Sequence, residues 1–141
     1  METDDQNLGS DATAKQDEKA ILEVIEQFAE GIRKLDPHLV SSVFHPKALS
    51  FSITPRGICI EPVEAWPEIL RKAREDSDHL FREKFSVQTL NIDIAGTAAS
   101  AKVEWEFESS KIIDFYNLLE MESGWLITNQ VYDTSPLSKV D

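Results

Sequence analysis

The stretch that most constrains this chain runs from Thr97 to Asp133, where three strand-length segments follow one another with very tight turns between them. Ala99, Ala101, Val103, Trp105 and Phe107 are apolar, and Ser100, Lys102, Glu104, Glu106 and Glu108 between them are polar. Strict period-two alternation of this kind marks a strand with one buried and one solvated face. Ser109-Ser110 turns the chain into Ile112–Met121, and Glu122-Ser123-Gly124 turns it again into Trp125–Tyr132. The result is an antiparallel meander, placed after an N-terminal half with helical spacing.

That half reads as helix, helix, hairpin, helix. Residues 1–16 are polar and acidic, with too few bulky apolar groups to offset ordering entropy, and are expected to form a disordered tail. Asp17 is placed as the first N-cap. Ile21, Val24, Ile25, Phe28, Ile32 and Leu35 then recur at three- and four-residue spacing, one apolar stripe on an amphipathic helix. Gly31 interrupts the stripe at a cost of about 1 kcal/mol relative to Ala, which points to a close neighbour there. Asp36-Pro37 starts a second helix, expected to carry Val40, Val43 and Phe44 inward and to end at His45-Pro46. Leu49–Ile53 and Ile58–Ile60 make a hairpin about Thr54-Pro55-Arg56-Gly57. A third helix covers roughly Val63–Arg74, with Pro67 in its first turns. Glu75–Lys84 is a charged connection. In Phe85–Ile94 the inward phase shifts from Phe85 and Val87 to Leu90, Ile92 and Ile94, which predicts a β-bulge near Thr89. The fold class is therefore α+β, with N-terminal helices in the concavity of a strongly curved antiparallel sheet. One domain spans 17–135, and 136–141 form a C-terminal tail.

Composition excludes several roles. Net charge is −12, from 26 acidic and 14 basic residues. Such a surface repels phosphate backbones and anionic lipid, so no nucleic-acid or membrane partner is expected. No apolar run approaches the ~20 residues of a membrane helix, and the N-terminus has no basic or apolar leader. Cys59 is the sole cysteine, and His38, His45 and His79 lack paired metal-ligand spacing. These features predict a cytoplasmic protein without metal or cofactor. No phosphate-binding glycine loop and no Gly-x-Ser-x-Gly nucleophile motif occurs.

Three segments carry a family resemblance: Val43-Phe44-His45-Pro46-Lys47-Ala48, Ile112 through Leu119, and Ser123 through Tyr132. Over about Asp17–Asp133 the chain resembles the nuclear transport factor 2-like superfamily, and within it the lumazine-binding branch. That superfamily also holds ketosteroid isomerases, scytalone dehydratases and polyketide cyclases. The resemblance implies a cone closed at one end and open at the other, a small apolar ligand inside it, and a homodimer formed through the open sheet.

Asp114 stands first among the candidate catalytic residues. It lies mid-strand among Ile112, Ile113, Phe115 and Tyr116, where a carboxylate is costly unless paired or wetted. An apolar cavity raises such a group's pKa and suits it to acid/base work, while a structural partner would instead satisfy it. His45 is the second candidate, either as a proton carrier or as a helix C-terminal histidine on free carbonyls. A His45–Asp114 dyad would be a competent base. Phe28, Trp66, Trp105, Tyr116 and Trp125 are the candidate substrate-binding aromatics, of which at least half are expected to be core. Asn129 shares the phase of Trp125 and Ile127 and is expected to point inward. Arg56 and His79 are expected to be solvated in loops, and Cys59 to be a small buried hydrophobe. Ile112–Met121 is apolar on both faces, so Phe115 and Leu119 are expected to lie in a homodimer interface. These features support a cofactor-independent isomerase, cyclase or dehydratase, or else a non-catalytic binding or dimerisation module.

Overall fold

The computed structural model describes the backbone of residues 2–137 and the side chains of residues 12–137. Helix α1 (Glu2–Lys34) leads, followed by α2 (Pro37–Ser41), strands β1 (Phe44–Thr54) and β2 (Gly57–Pro62), and α3 (Trp66–Glu75). Strands β3 (Phe85–Ala95), β4 (Ala98–Phe107), β5 (Ser110–Met121) and β6 (Gly124–Pro136) complete the chain. Six strands form one sheet in the order β2-β1-β6-β5-β4-β3. All neighbours are antiparallel except β1 with β6, which run parallel and join the hairpin to the meander. That parallel junction is absent from the sequence-based expectation.

Helix α1 starts at Glu2, so Asp17 lies within the helix instead of capping it. The side chains of residues 12–16 are exposed, and those before Ala12, like residues 138–141, lie outside the described residues. Asp17 instead ties the helix to the last strand, its Oδ1 accepting the indole N–H of Trp125, 3.4 Å away. The buried stripe Ile21, Ile25, Phe28, Ala29 and Ile32 packs into the sheet's concave face against Ala101, Val103, Trp105, Tyr116, Leu118 and Ile127. The close neighbour at Gly31 is Val40: a Cβ there would stand 2.7 Å from Val40 Cγ2 and 3.0 Å from its backbone nitrogen. Asp36 caps α2 as expected, its Oδ1 accepting the His38 and Leu39 N–H groups. A 3-10 turn at Val63–Ala65 precedes α3, so the helix proper begins at Trp66, beside Pro67.

Three irregularities bend the sheet. Leu90 is the extra residue between Thr89↔Val103 and Asn91↔Lys102, the bulge the apolar phase shift predicts. In β6, Thr128 is the extra residue between Leu118↔Ile127 and Asn117↔Asn129, and its hydroxyl donates to the Asn117 carbonyl at 3.0 Å. In β1, register with β6 jumps between Phe44 and Leu49, around Pro46, which has no N–H to give a ladder. Strand β1 therefore begins at Phe44, and His45-Pro46 belongs to it; the expectation that these residues terminate α2 is corrected.

Candidate functional site

The concave side of the sheet and the helices facing it enclose a cavity of about 280 Å³. Phe28 and Ile32 of α1, Trp66 and Ile69 of α3, and Trp105 and Phe107 of β4 line it. Phe28 is the hub of the aromatic wall, edge-on to Trp105 at 5.3 Å and to Trp66 at 5.5 Å between ring centroids. The wall is exposed to solvent at Leu49, Pro62 and Thr134. A volume near the lower end of the ~300–1,000 Å³ usual for small-molecule sites fits a ligand of one or two rings.

Asp114 is on this wall and only 2% exposed. The Tyr116 hydroxyl donates to its Oδ2 at 2.6 Å, and the Gln130 side-chain amide donates to its Oδ1 at 2.9 Å. Tyr116 is in turn held by the Trp105 indole N–H, 3.2 Å from its hydroxyl oxygen. Burial pushes the Asp114 carboxyl up to about 6 from its ordinary 3.8, although the Gln130 and Tyr116 hydrogen bonds pull the other way. Desolvation therefore outweighs hydrogen bonding here, and the group exchanges protons near neutral pH. The same burial, with Asp114 beside it, raises the Tyr116 hydroxyl, so it remains a donor. The Gln130 carbonyl oxygen is buried and has no hydrogen-bond partner among the described residues.

The structure separates the other candidates. Phe28, Trp66 and Trp105 line the cavity with Asp114. Tyr116 is fully buried and positions Asp114 from the same strand. Trp125 is core, tied to Asp17 instead of the cavity. His45 is not on the wall: its Nδ1 accepts the Lys47 N–H at 3.0 Å and closes the β1 irregularity, so no His45–Asp114 dyad exists. Neither is it the helix C-terminal histidine of the alternative reading, because it lies in β1. Asn129 is turned away by the Thr128 bulge and accepts from the Asn117 amide at 2.9 Å. The inward groups beyond the bulge are Gln130 and Tyr132, both on the wall. Tyr132 is half-buried, which raises its hydroxyl.

Sequence reasoning misplaced two more residues. His79, expected in solvent, stands on the cavity wall and caps the 3-10 turn Leu80–Arg82, its Nδ1 accepting the Phe81 N–H at 3.1 Å. Cys59, expected to be buried, is partly exposed, 3.5 Å from Glu61 Oε1, which raises its thiol. Glu61 also reaches the wall. A signal for His79 was present in the sequence: a histidine followed at once by Leu80-Phe81, two apolar residues inside an otherwise charged connection. Among the described residues no group of three or more His, Cys, Asp or Glu is placed to hold a metal ion. No helix among them is long and apolar enough to cross a membrane.

The fold has clear relatives. A nuclear transport factor 2-like protein of unknown function from Shewanella baltica is 26% identical and superposes with a TM-score of 0.73, over 86% of this chain and 96% of that one. One from Silicibacter pomeroyi is 17% identical, with a TM-score of 0.74 over 86% and 98% of the two chains. A protein of Novosphingobium aromaticivorans described as a "putative aromatic ring hydroxylase" is 18% identical, with a TM-score of 0.59 over 86% and 94%. A comparison with curated proteins gives no match. Residues 16–133 match the family model described as "Putative lumazine-binding". With its helices laid into the concavity of a curved six-stranded sheet, the chain belongs to that family, a branch of the nuclear transport factor 2-like superfamily.

Proposed function

We propose that the cavity binds a small, largely apolar organic molecule and that Asp114 moves a proton on it, without a cofactor, in an isomerisation, cyclisation or dehydration. The observation that carries this reading is a 2%-exposed carboxyl on the wall of an aromatic cavity, with its pKa pushed up to about 6. A structural ion pair would lower that pKa, and among the described residues no lysine or arginine is on the wall. Ionised Asp114 is the base and its protonated form the acid. Tyr116 and Gln130 fix the carboxyl's orientation.

The test is Asp114→Asn. The variant is expected to stay folded and to bind ligand, but to lose on the order of 10²–10⁴ in turnover, the usual worth of a positioned general base. Carbon-detected NMR titration of the Asp114 carboxyl accompanies it. A carboxyl titrating below pH 3, with an Asn variant that melts markedly earlier, would falsify the catalytic role and leave the second reading, a non-catalytic ligand-binding or dimerisation module. That second reading has its own support in the outer sheet face, where Phe115 (50%), Leu119 (42%), Met121 (38%) and Val131 (45%) are exposed. Phe115 and Val131 are direct cross-strand partners. We propose a second copy of the chain as their cover.

A further inference from the structure

We propose that His79 is the hydrogen-bond donor of the cavity and selects ligands that bring a carbonyl oxygen to its Nε2–H. The inference rests on the cavity being a ligand site. It begins with the ring's tautomer. Nδ1 accepts the Phe81 backbone N–H at 3.1 Å, so that nitrogen carries a lone pair, and the proton of the neutral ring sits on Nε2. The ring leans on Phe81, its centroid 5.1 Å from the Phe81 centroid, which limits its rotation. Nε2 has no hydrogen-bond partner among the described residues, although His79 is on the wall and only partly exposed. The cap thus leaves Nε2–H as the ring's free donor on a residue of the cavity wall.

The rest of the wall narrows the ligand. Among the described residues no lysine or arginine contributes to it, while Asp114 and Glu61 do. An anion would find no counter-charge and two carboxylates, in a chain of net charge −12. The ligand is therefore not an anion, and the predominantly apolar lining favours a neutral one. Its body faces Phe28, Trp66 and Trp105, so it is flat and apolar. On the sheet side Asp114 offers carboxylate oxygens, and beside it Gln130 has an unpartnered carbonyl oxygen. These acceptors suit a hydroxyl, an N–H or an acidic C–H. His79 comes from the connection after α3 and Asp114 from β5, so donor and acceptors enter from different walls. A neutral ring compound with a carbonyl at one end and a proton-bearing group at the other matches both.

Two substitutions separate ligand reading from capping. His79→Asn keeps a side-chain oxygen that accepts the N–H two residues on, as Asx turns do, but removes the distal donor. His79→Gln keeps an N–H near the Nε2 position and loses the short-range cap. The probes are 2-acetylnaphthalene and 2-isopropenylnaphthalene, flat isosteres that differ by C=O against C=CH2, with binding read by equilibrium dialysis. Relative to the wild type, the ratio of the two dissociation constants is expected to move about three- to tenfold against the ketone in His79→Asn, the worth of one neutral hydrogen bond. The ratio stays near the wild-type value in His79→Gln, while the melting temperature of that variant drops by a few degrees. A His79→Asn protein that keeps the wild-type ratio overturns the assignment and leaves the cavity as a binding site. If neither probe binds up to its solubility limit, both the cavity reading and this inference fall.

Discussion

Alternate residues of β5 have opposite fates. Asp114, Tyr116 and Leu118 face the concave side and are almost wholly buried, whereas Phe115 and Leu119 on the alternate positions are about half exposed. The inner face buries a carboxylate, a phenol and an amide joined in one hydrogen-bonded chain. The outer face displays hydrocarbon to solvent, relieved by Lys102 over the Phe115 ring at 5.6 Å and by the Asn117–Asn129 pair. Polarity is thus inverted relative to a simple half-buried strand. The inversion teaches that folding one chain explains neither face by itself: the proposed guest would account for the inner one, and the proposed second copy for the outer one.

The largest expected contrast is between two adjacent aromatics. Tyr116→Ala empties a fully buried site and should cost ~3–5 kcal/mol. Phe115→Ala, which loses a cross-strand contact with Val131 and half of a side chain's burial, should cost the monomer about 1 kcal/mol. Urea denaturation of both at high dilution checks this, and equal losses would break the comparison.

Next comes the pH dependence of the inner face. The folded carboxyl titrates near 6 and the unfolded one near 3.8, so the folded state binds the extra proton between those values. Stability contributed by protonated Asp114 is present below about pH 4 and is lost as pH rises through about 6. The gap corresponds to ~3 kcal/mol at most. Asp114→Asn should remove this slope and be no less stable than the wild type at pH 7. In that variant the Gln130 amide can turn to give its unpartnered oxygen to the new N–H. Calorimetry of both proteins from pH 4 to 7 reads the effect; a wild type that loses no more stability across this range than Asp114→Asn contradicts the raised pKa.

On the outer face, Phe115→Lys or Leu119→Lys should yield monomers, because each sets an unpaired charge into the proposed interface. Monomer stability should change by about 1 kcal/mol, too little to unfold it. Light scattering decides, and a wild type that is itself monomeric at high concentration removes the neighbour from the account. The smallest effect is expected for Asn129→Ala, which should leave probe binding in the cavity unchanged. Weakened binding there would mean that Asn129, not Gln130, faces inward.

Two bulges show what a sequence reveals and what it hides. The one at Leu90 is legible because apolar residues change phase across it, from Phe85 and Val87 to Ile92 and Ile94. The one at Thr128 is not. Trp125 and Ile127 are inward before it, yet Val131, on the same odd phase, is outward and also apolar. Val131 places an apolar residue on the outer face of β6, so the odd-numbered phase of Trp125 and Ile127 runs on to it, conceals the shift, and Asn129 is read as inward. His45 and His79 fail for a related reason. Each accepts a backbone N–H two residues ahead, but only the packing of the chain puts one beside an irregular strand and the other on the cavity wall.

By itself the sequence determined the order of helices and strands, the amphipathic stripe of α1 and the α2 cap. Each of these is written in local spacing, which acts within one or two turns or along a single strand. Only the tertiary structure decided the parallel β1–β6 junction, the partners of Asp114, the site of His79 and the inward choice of Gln130 over Asn129. These depend on register between segments distant in the chain, where one extra residue exchanges the two faces of a strand.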